Sequence, residues 1–403
     1  MCGIAGFVHF ERNRPADVGV VHRMTDTVRH RGPDGAGYHV SHNVALGHRR
    51  LRIIDLVTGD QPMTGADGAT VIVFNGEIYN YLELREELQR RQHLFHTSSD
   101  TEVILAAYRE WGETCVSRFN GMWAFALWDA REQKLFCSRD RLGEKPFYYA
   151  VLDRTFVFGS EAKALFAYGV PRDPNPAVLG AYLCLTYVPG TDTFFRCLQR
   201  LAPGYNLTVQ DGRVRVAQYW DVCYAREHEA RRDEGRIVAE FRDLLRDAVR
   251  VRMRSDVPFG AFLSGGLDSA TVVAFMAGLS SAPVKTCTIG FQDRRFDETA
   301  AAAHVAARYA TDHWVRTATV EDVGDCASRV AWHFDEPFGD SSAVPTYLVA
   351  RAGRERVTMV LTGDGGDEVL SGYTIHQGEK LSAYYRWLPR IVGSGAIPWL
   401  LKG

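Results

Sequence analysis

Cys2 is the first residue whose type and place could do chemistry. Once Met1 is removed, its α-amino group, with a pKa near ~7.7–8.0, lies beside its own thiol and can act as that thiol's base. That solves an activation problem, because only a small fraction of a free thiol is ionised at neutral pH. An acyl-transfer nucleophile also needs donors aimed at the developing oxyanion. Asn75 and the backbone N–H of Gly76, in Phe74-Asn75-Gly76-Glu77-Ile78-Tyr79-Asn80, would supply them. A substrate of amino-acid type would bring an α-carboxylate, matched by the fork of Arg50, and an α-ammonium, matched by Asp100. His30 and His48 lie in nearby runs but read as structural, since the amine already fills the role of base.

A second constellation is Leu263-Ser264-Gly265-Gly266-Leu267-Asp268-Ser269, set between a strand pattern and a helix pattern. Its glycines let the backbone approach a phosphate chain, and the N–H groups of a helix start attract the charge. Ser264 and Ser269 add hydroxyl donors, and Asp268 can ligate Mg²⁺. Further on, Thr362-Gly363-Asp364-Gly365-Gly366-Asp367-Glu368 follows another strand pattern. The carboxyl ends of strands are where open α/β sheets bind ligands, and Asp364 and Asp367 are read as site residues. The chain has no Walker-type lysine loop, which argues against transfer of a γ-phosphate.

Two kinds of scaffold must position these groups. The first ~200 residues read as short strands at 71–74, 121–128, 134–138, 147–150 and 155–159, with helices at 81–91 and 100–111. Asn75-Gly76 and Asp211-Gly212 are turn signals, and Ser99 or Asp100 is the N-cap of the second helix. After a charged stretch at 224–236 the rhythm changes. Helix 237–253, strand 259–263, helix 269–279, strand 285–291 and helix 298–310 follow in turn. Another strand–helix pair ends at 332–335, then come helix 344–354 and strand 357–361. That alternation marks a parallel, doubly wound sheet.

Bulk properties narrow the partners. A length of 403 residues suggests two domains. A net charge of −2 gives no electrostatic reason to expect nucleic acid or an anionic membrane, and short basic runs such as Arg231-Arg232 read as solvated surface. No apolar stretch reaches the ~20 residues needed to span a bilayer, and Met1-Cys2-Gly3-Ile4 is no signal peptide. The eight cysteines show no CxxC pair, so free thiols in the cytoplasm are expected.

Residues 2–200 resemble a class II glutamine amidotransferase domain. The resemblance rests on Cys2, Arg29-His30-Arg31-Gly32-Pro33-Asp34-Gly35, Leu46-Gly47-His48-Arg49-Arg50-Leu51, Asn75-Gly76-Glu77 and Ser98-Ser99-Asp100-Thr101-Glu102. It continues through Ser138-Arg139-Asp140, Lys145-Pro146-Phe147-Tyr148-Tyr149 and Gly159-Ser160-Glu161. It implies an N-terminal-nucleophile hydrolase fold of stacked antiparallel sheets between helices, hence α+β followed by α/β. It also implies that Cys2 is the nucleophile, that Asn75 and Gly76 form the oxyanion hole, and that Arg50, Leu51, Ile54, Glu77 and Asp100 help hold glutamine. The Ser264–Ser269 loop is similar to the pyrophosphate loop of ATP pyrophosphatases.

Together, in this order, the segments look like the glutamine-hydrolysing asparagine synthetase family. That resemblance implies ATP, Mg²⁺, aspartate and glutamine as small-molecule partners. It places Leu263, Ile289, Thr362 and Gly363 on the nucleotide, Asp364 beside adenylation, and Asp268 and Asp367 on the metal. Its implied layout is a glutaminase at 2–205, a connection at 206–235 and a synthetase domain at 236–403, with a homodimer as a further expectation. Two departures stand out. The family's Leu-Phe-Gly-Gly-Tyr is here Leu370-Ser371-Gly372-Tyr373 after Val369, and the family's C-terminal helical region, with its lysine, has no counterpart. The ligase half is therefore expected to be incomplete. Amidation of another carboxylate, a chain retaining glutaminase alone, and a non-catalytic binding relative are the alternatives.

Overall fold

The computed structural model describes residues 1–224 and 233–386, so most of the charged stretch and the apolar run 391–401 lie outside the described residues. The chain packs into two units, Met1–Phe259 with Ala318–Met359, and Gly260–Thr317 with the residues from Val360 onward.

The first unit holds β1 (Gly3–His9), β2 (Gly35–Ser41), β3 (Val44–Arg50), β4 (Met63–Thr64), β5 (Thr70–Ile78) and β6 (Gly121–Asp129). It continues with β7 (Lys134–Arg139), β8 (Tyr148–Leu152), β9 (Thr155–Gly159), β10 (Gln199–Arg200), β11 (Tyr205–Gln210) and β12 (Arg213–Gln218). They form two six-stranded sheets, β10-β8-β9-β1-β3-β2 and β12-β11-β7-β6-β5-β4, paired antiparallel.

Strand alternation explains the layering. In β5, Val71 and Val73 join the core between the sheets, while Ile72 and Phe74 join a second core with the helices Tyr81–Arg90 and Asp100–Trp111. In β1, Ile4 and Val8 face the inter-sheet core, while Ala5 and Phe7 pack with the helices Val18–Asp26 and Ala162–Tyr168. The layers are helix, sheet, sheet, helix. A strand covered on both faces is apolar at successive positions, so a one-residue slip in β5 would still bury carbon but would turn Asn75 and Glu77 away from their neighbours.

Several elements follow local signals closely. The helix Asp100–Trp111 starts at the N-cap Ser99, whose side chain accepts from the Thr101 N–H. Asp211-Gly212 joins β11 to β12 with φ of +50° and +71°, the pattern of a two-residue hairpin turn. Asn75-Gly76 does not turn at all. It lies inside β5, opposite Ala124 and Trp123 of β6, which corrects the turn expected from this dipeptide. A Cβ on Gly76 would come within 2.1 Å of the Met122 carbonyl oxygen, so close strand approach, not a turn, demands glycine.

The second unit is built on a four-stranded sheet ordered β15 (Asp312–Ala318), β14 (Lys285–Phe291), β13 (Phe259–Phe262), β16 (Met359–Leu361). β13 and β14 run parallel, with Gly260 opposite Lys285, and the helix Leu267–Leu279 makes the crossover. The helix Thr299–Arg308 makes the next one, from β14 to β15. β16 starts two residues later than the apolar pattern suggests. Among the described residues no helix is long and apolar enough to cross a membrane.

Candidate active site

The sulfur of Cys2 lies where β1 begins, beside the end of β3. It accepts from the Leu51 N–H at 3.4 Å, with the Leu51 carbonyl 3.7 Å away. The antiparallel pairing of Gly3 with Arg49 is what brings residues 2 and 50–51 together across the sheet edge. Burial pushes the thiol's pKa up, so the thiolate needs a base close by. The N-terminal amine, here on Met1, is lowered to about 5, chiefly by burial and also by the charges of Arg31 and Lys145. It is held as a free amine at neutral pH.

One pocket gathers Cys2, Arg50, Leu51, Ile54, Asn75, Gly76, Glu77 and Asp100, the whole set expected for glutamine. β5 from the second sheet delivers Asn75, Gly76 and Glu77, and the first turn of the helix Asp100–Trp111 delivers Asp100. Asp100 accepts from the Ile78 N–H at 3.0 Å, which locks that helix start to β5. His48 does the equivalent job between the sheets, donating through Nε2 to the Phe74 carbonyl at 3.1 Å. Its pKa falls to about 3 through burial, so it is a neutral brace. The Arg50 guanidinium contacts Asp60 and the carbonyls of Ile54 and Asp55.

Unpaired polar atoms mark where a ligand belongs. Both amide atoms of Asn75 and Oε1 of Glu77 are buried with no hydrogen-bond partner. Buried polar groups are nearly always paired, so three orphans in one pocket beside a thiol point to a polar substrate.

The electrostatics agree. Burial, and then the neighbouring Asp100, push Glu77 up to about 8; burial pushes Asp100 up to about 6. A folded-state pKa above the ordinary carboxylate value means the folded apo chain loses stability as pH rises through that interval. A ligand ammonium reverses this by favouring the ionised carboxylates. Binding of a ligand that carries an ammonium therefore releases protons, and its affinity should rise from pH 6 to pH 8, by up to ~10-fold per unit. The thermal shift produced by glutamine should likewise be larger at pH 8 than at pH 6. A shift independent of pH would contradict this assignment.

Gly76→Ala offers a steric check. The clash with Met122 should cost ~1–3 kcal/mol of stability and displace the Asn75 amide, lowering glutamine turnover sharply. Denaturant unfolding and glutamate release would read the two effects separately.

The residues of the two glycine-rich loops meet in the second unit. Ser264 Oγ and Ser269 Oγ are 2.8 Å apart, and the Gly266 N–H donates to Ser264 Oγ at 3.1 Å, so the loop closes on the start of the helix Leu267–Leu279. A Cβ on Gly366 would sit 2.5 Å from the Asp268 carboxyl carbon, and one on Gly363 would sit 2.8 Å from the Ser269 nitrogen. The acidic loop after β16 thus lies directly against Asp268 and Ser269. Thr362 Oγ1 donates to Asp364 at 2.8 Å, Leu263 is buried, and Ile289 is half-buried in β14.

Sequence reasoning missed two residues. Glu298 accepts from the Gly265 N–H at 3.1 Å, putting a carboxylate on the donor that a phosphate would use. Lys145, buried and lining the Cys2 pocket, is the other. Lys145 falls in a run that carries the resemblance but gains no role from it, and Glu298 carries no local signal; each acts through a partner far away in sequence.

The two antiparallel sheets of the first unit and its pocket fall in a glutamine amidotransferase domain. Residues 1–220 match the glutamine amidotransferase domain family and residues 240–402 match asparagine synthase. The chain belongs to the family of glutamine-hydrolysing asparagine synthetases. It is 36% identical to asparagine synthetase [glutamine-hydrolyzing] 1 of Bacillus subtilis, over 95% of this chain and 60% of that protein. It is 38% identical to putative asparagine synthetase [glutamine-hydrolyzing] 2 of Methanocaldococcus jannaschii, over 98% and 80%. A third relative, amidase chyE of Penicillium rubens, is 32% identical over 95% and 60%. The chain thus spans about 60% of the length of the first of these relatives.

Proposed function

We propose that this chain hydrolyses glutamine at Cys2 and uses the ammonia to amidate aspartate through an ATP-dependent adenylation, forming asparagine, AMP, pyrophosphate and glutamate. The observation that carries the reading is the trio of orphaned Asn75 and Glu77 atoms in the pocket of the Cys2 thiol.

The Cys2 thiolate attacks the amide carbon of glutamine, and Asn75 with the Gly76 N–H meets the oxyanion. Ammonia leaves, and water hydrolyses the thioester to glutamate. Arg50, oriented by Ile54 and flanked by Leu51, takes the substrate carboxylate, while Glu77 and Asp100 take its ammonium. In the second unit the β-carboxylate of aspartate attacks the α-phosphorus of ATP, releasing pyrophosphate. Ammonia then displaces AMP from the β-aspartyl adenylate.

Ser264, Gly265, Gly266 and Ser269 hold the phosphates, Leu263, Ile289, Thr362 and Gly363 bound the nucleotide, and Asp364 lies beside the adenylation step. Mg²⁺ takes one or two carboxylates plus phosphate oxygens, and would offset phosphate charge. Asp268, between the two loops, fits that donor set. Asp367 is turned toward Gly372 and fits it less directly.

The functional segments are 2–205 for the glutaminase and 236–403 for the synthetase. No disulfide joins the cysteines among the described residues, which suits the reducing cytoplasm. A homodimer is the assembly we propose.

Incubating the chain with Mg-ATP, aspartate and glutamine, while following glutamate, pyrophosphate and asparagine, tests the reading. Stoichiometric appearance of all three supports it. Glutamate alone would confine the activity to the first unit. Glutamate and pyrophosphate with another carboxylate in place of aspartate would redefine the acceptor.

A further inference from the structure

Lys145 sits in the loop between β7 and β8, and its backbone is fixed on both sides. Its N–H donates to Asp140 at 3.0 Å, and its carbonyl accepts from Arg139 Nε at 2.8 Å. Asp140 is itself buried and also accepts from the N–H groups of Trp123, Leu142 and Glu144. The loop therefore aims a rigidly mounted lysine into the pocket. Only 7% of Lys145 is exposed, and its Nζ donates to the Met1 sulfur at 3.3 Å.

A thioether is a weak acceptor for an ammonium, and no ion pair to Lys145 is formed among the described residues. A buried cation without a direct partner costs stability, so its placement calls for another purpose. The side-chain hydrogen bond it forms among the described residues is to Met1, the residue that must leave for Cys2 to become N-terminal. Removing Met1 would free Nζ inside the pocket that holds the new amine.

We propose that Lys145 is a positioning residue for the glutaminase, a fixed cation that keeps the Cys2 α-amino group in its free-base form and favours the thiolate beside it. This rests on the reading of Cys2 as the nucleophile. The charged and titratable groups around the amine are the Cys2 thiol, Arg31, Lys145 and Arg354. Around Lys145 they are Glu144, Glu77, Arg31 and Asp140. Arg31 acts on the same amine and is also engaged elsewhere, donating to the Cys2 carbonyl at 2.9 Å and to Glu161 at 2.9 Å. Lys145 forms no such ion pair among the described residues, while burial lowers its pKa and Glu144 and Glu77 act against that.

The test uses the full chain with Met1 removed, as wild type, Lys145→Met and Lys145→Arg. Alkylation of Cys2 by iodoacetamide is followed against pH by peptide mass spectrometry, and glutamate release is followed in parallel. In Lys145→Met the midpoint of Cys2 alkylation should move up by about one pH unit, and the acid limb of kcat/KM for glutamine should move with it. Lys145→Arg should stay near wild type. An unchanged alkylation midpoint in Lys145→Met overturns the proposal, whatever the rate of glutamine turnover. Should that variant fold poorly, Lys145→Gln provides the same neutral test. Absence of glutamine hydrolysis in the wild type would count against the glutaminase reading, and the alkylation profile would still decide the role of Lys145.

Discussion

Cys2→Ala should lower glutamine hydrolysis by at least ~10³-fold while leaving amidation from added ammonia near its original rate. Among the described residues no second thiol lines the pocket. The substitution removes one sulfur from a half-buried position, so the fold should survive it. Separate assays with glutamine and with ammonium salts would read the two activities. Equal loss of both would mean that Cys2 serves the synthetase reaction directly, and the two-site scheme would fail. Chain maturation makes a related point. With Met1 attached, the amine is one residue away from the thiol it must deprotonate, so the unprocessed chain should resemble the alanine variant.

The second large effect concerns Asp268. It begins the helix Leu267–Leu279 and meets the acidic loop at Gly366, so it is the carboxylate both glycine-rich segments share. Asp268→Ala should reduce pyrophosphate formation by ~10²-fold or more, with glutamate release unchanged. Alanine also begins helices well enough that a folding defect is not expected. Pyrophosphate formed at the wild-type rate would place the nucleotide elsewhere.

Legibility in the sequence followed the range of the physical signal. The helix Asp100–Trp111 was plain because its cap, its apolar period and its stop all lie within the segment. The helix Glu234–Arg252 begins three residues before the apolar pattern, because Asp233 caps a polar first turn by accepting from the Arg236 N–H. Asn75-Gly76 misled as a turn because the reason for the glycine lies on β6, about 46 residues away, and not in its own backbone angles. The residues expected in the Cys2 pocket were legible through the resemblance, while the orphaned atoms that single out the site emerge only once both sheets are in place. Lys145 and Glu298 stayed hidden for the same reason. Their surroundings are assembled from distant segments.

One chain of charges bears on how such a protein can be divided. Arg31 joins the Cys2 carbonyl to Glu161, Glu161 pairs with Lys163, and Lys163 pairs with Asp335 at 3.0 Å. Next along, Glu336 accepts from the Phe194 N–H and pairs with Arg200. Asp335 and Glu336 belong to the stretch that matches asparagine synthase, whereas every partner belongs to the stretch that matches the amidotransferase. The seam between the two ancestral modules, as inheritance draws it, is therefore not a seam in the packing. Cutting the gene between residues 220 and 240 would strip counter-charges from a buried ladder that ends at the nucleophile's own carbonyl. Recombination that swapped one module for a relative's would succeed only where the incoming segment restored acidic groups at those two places.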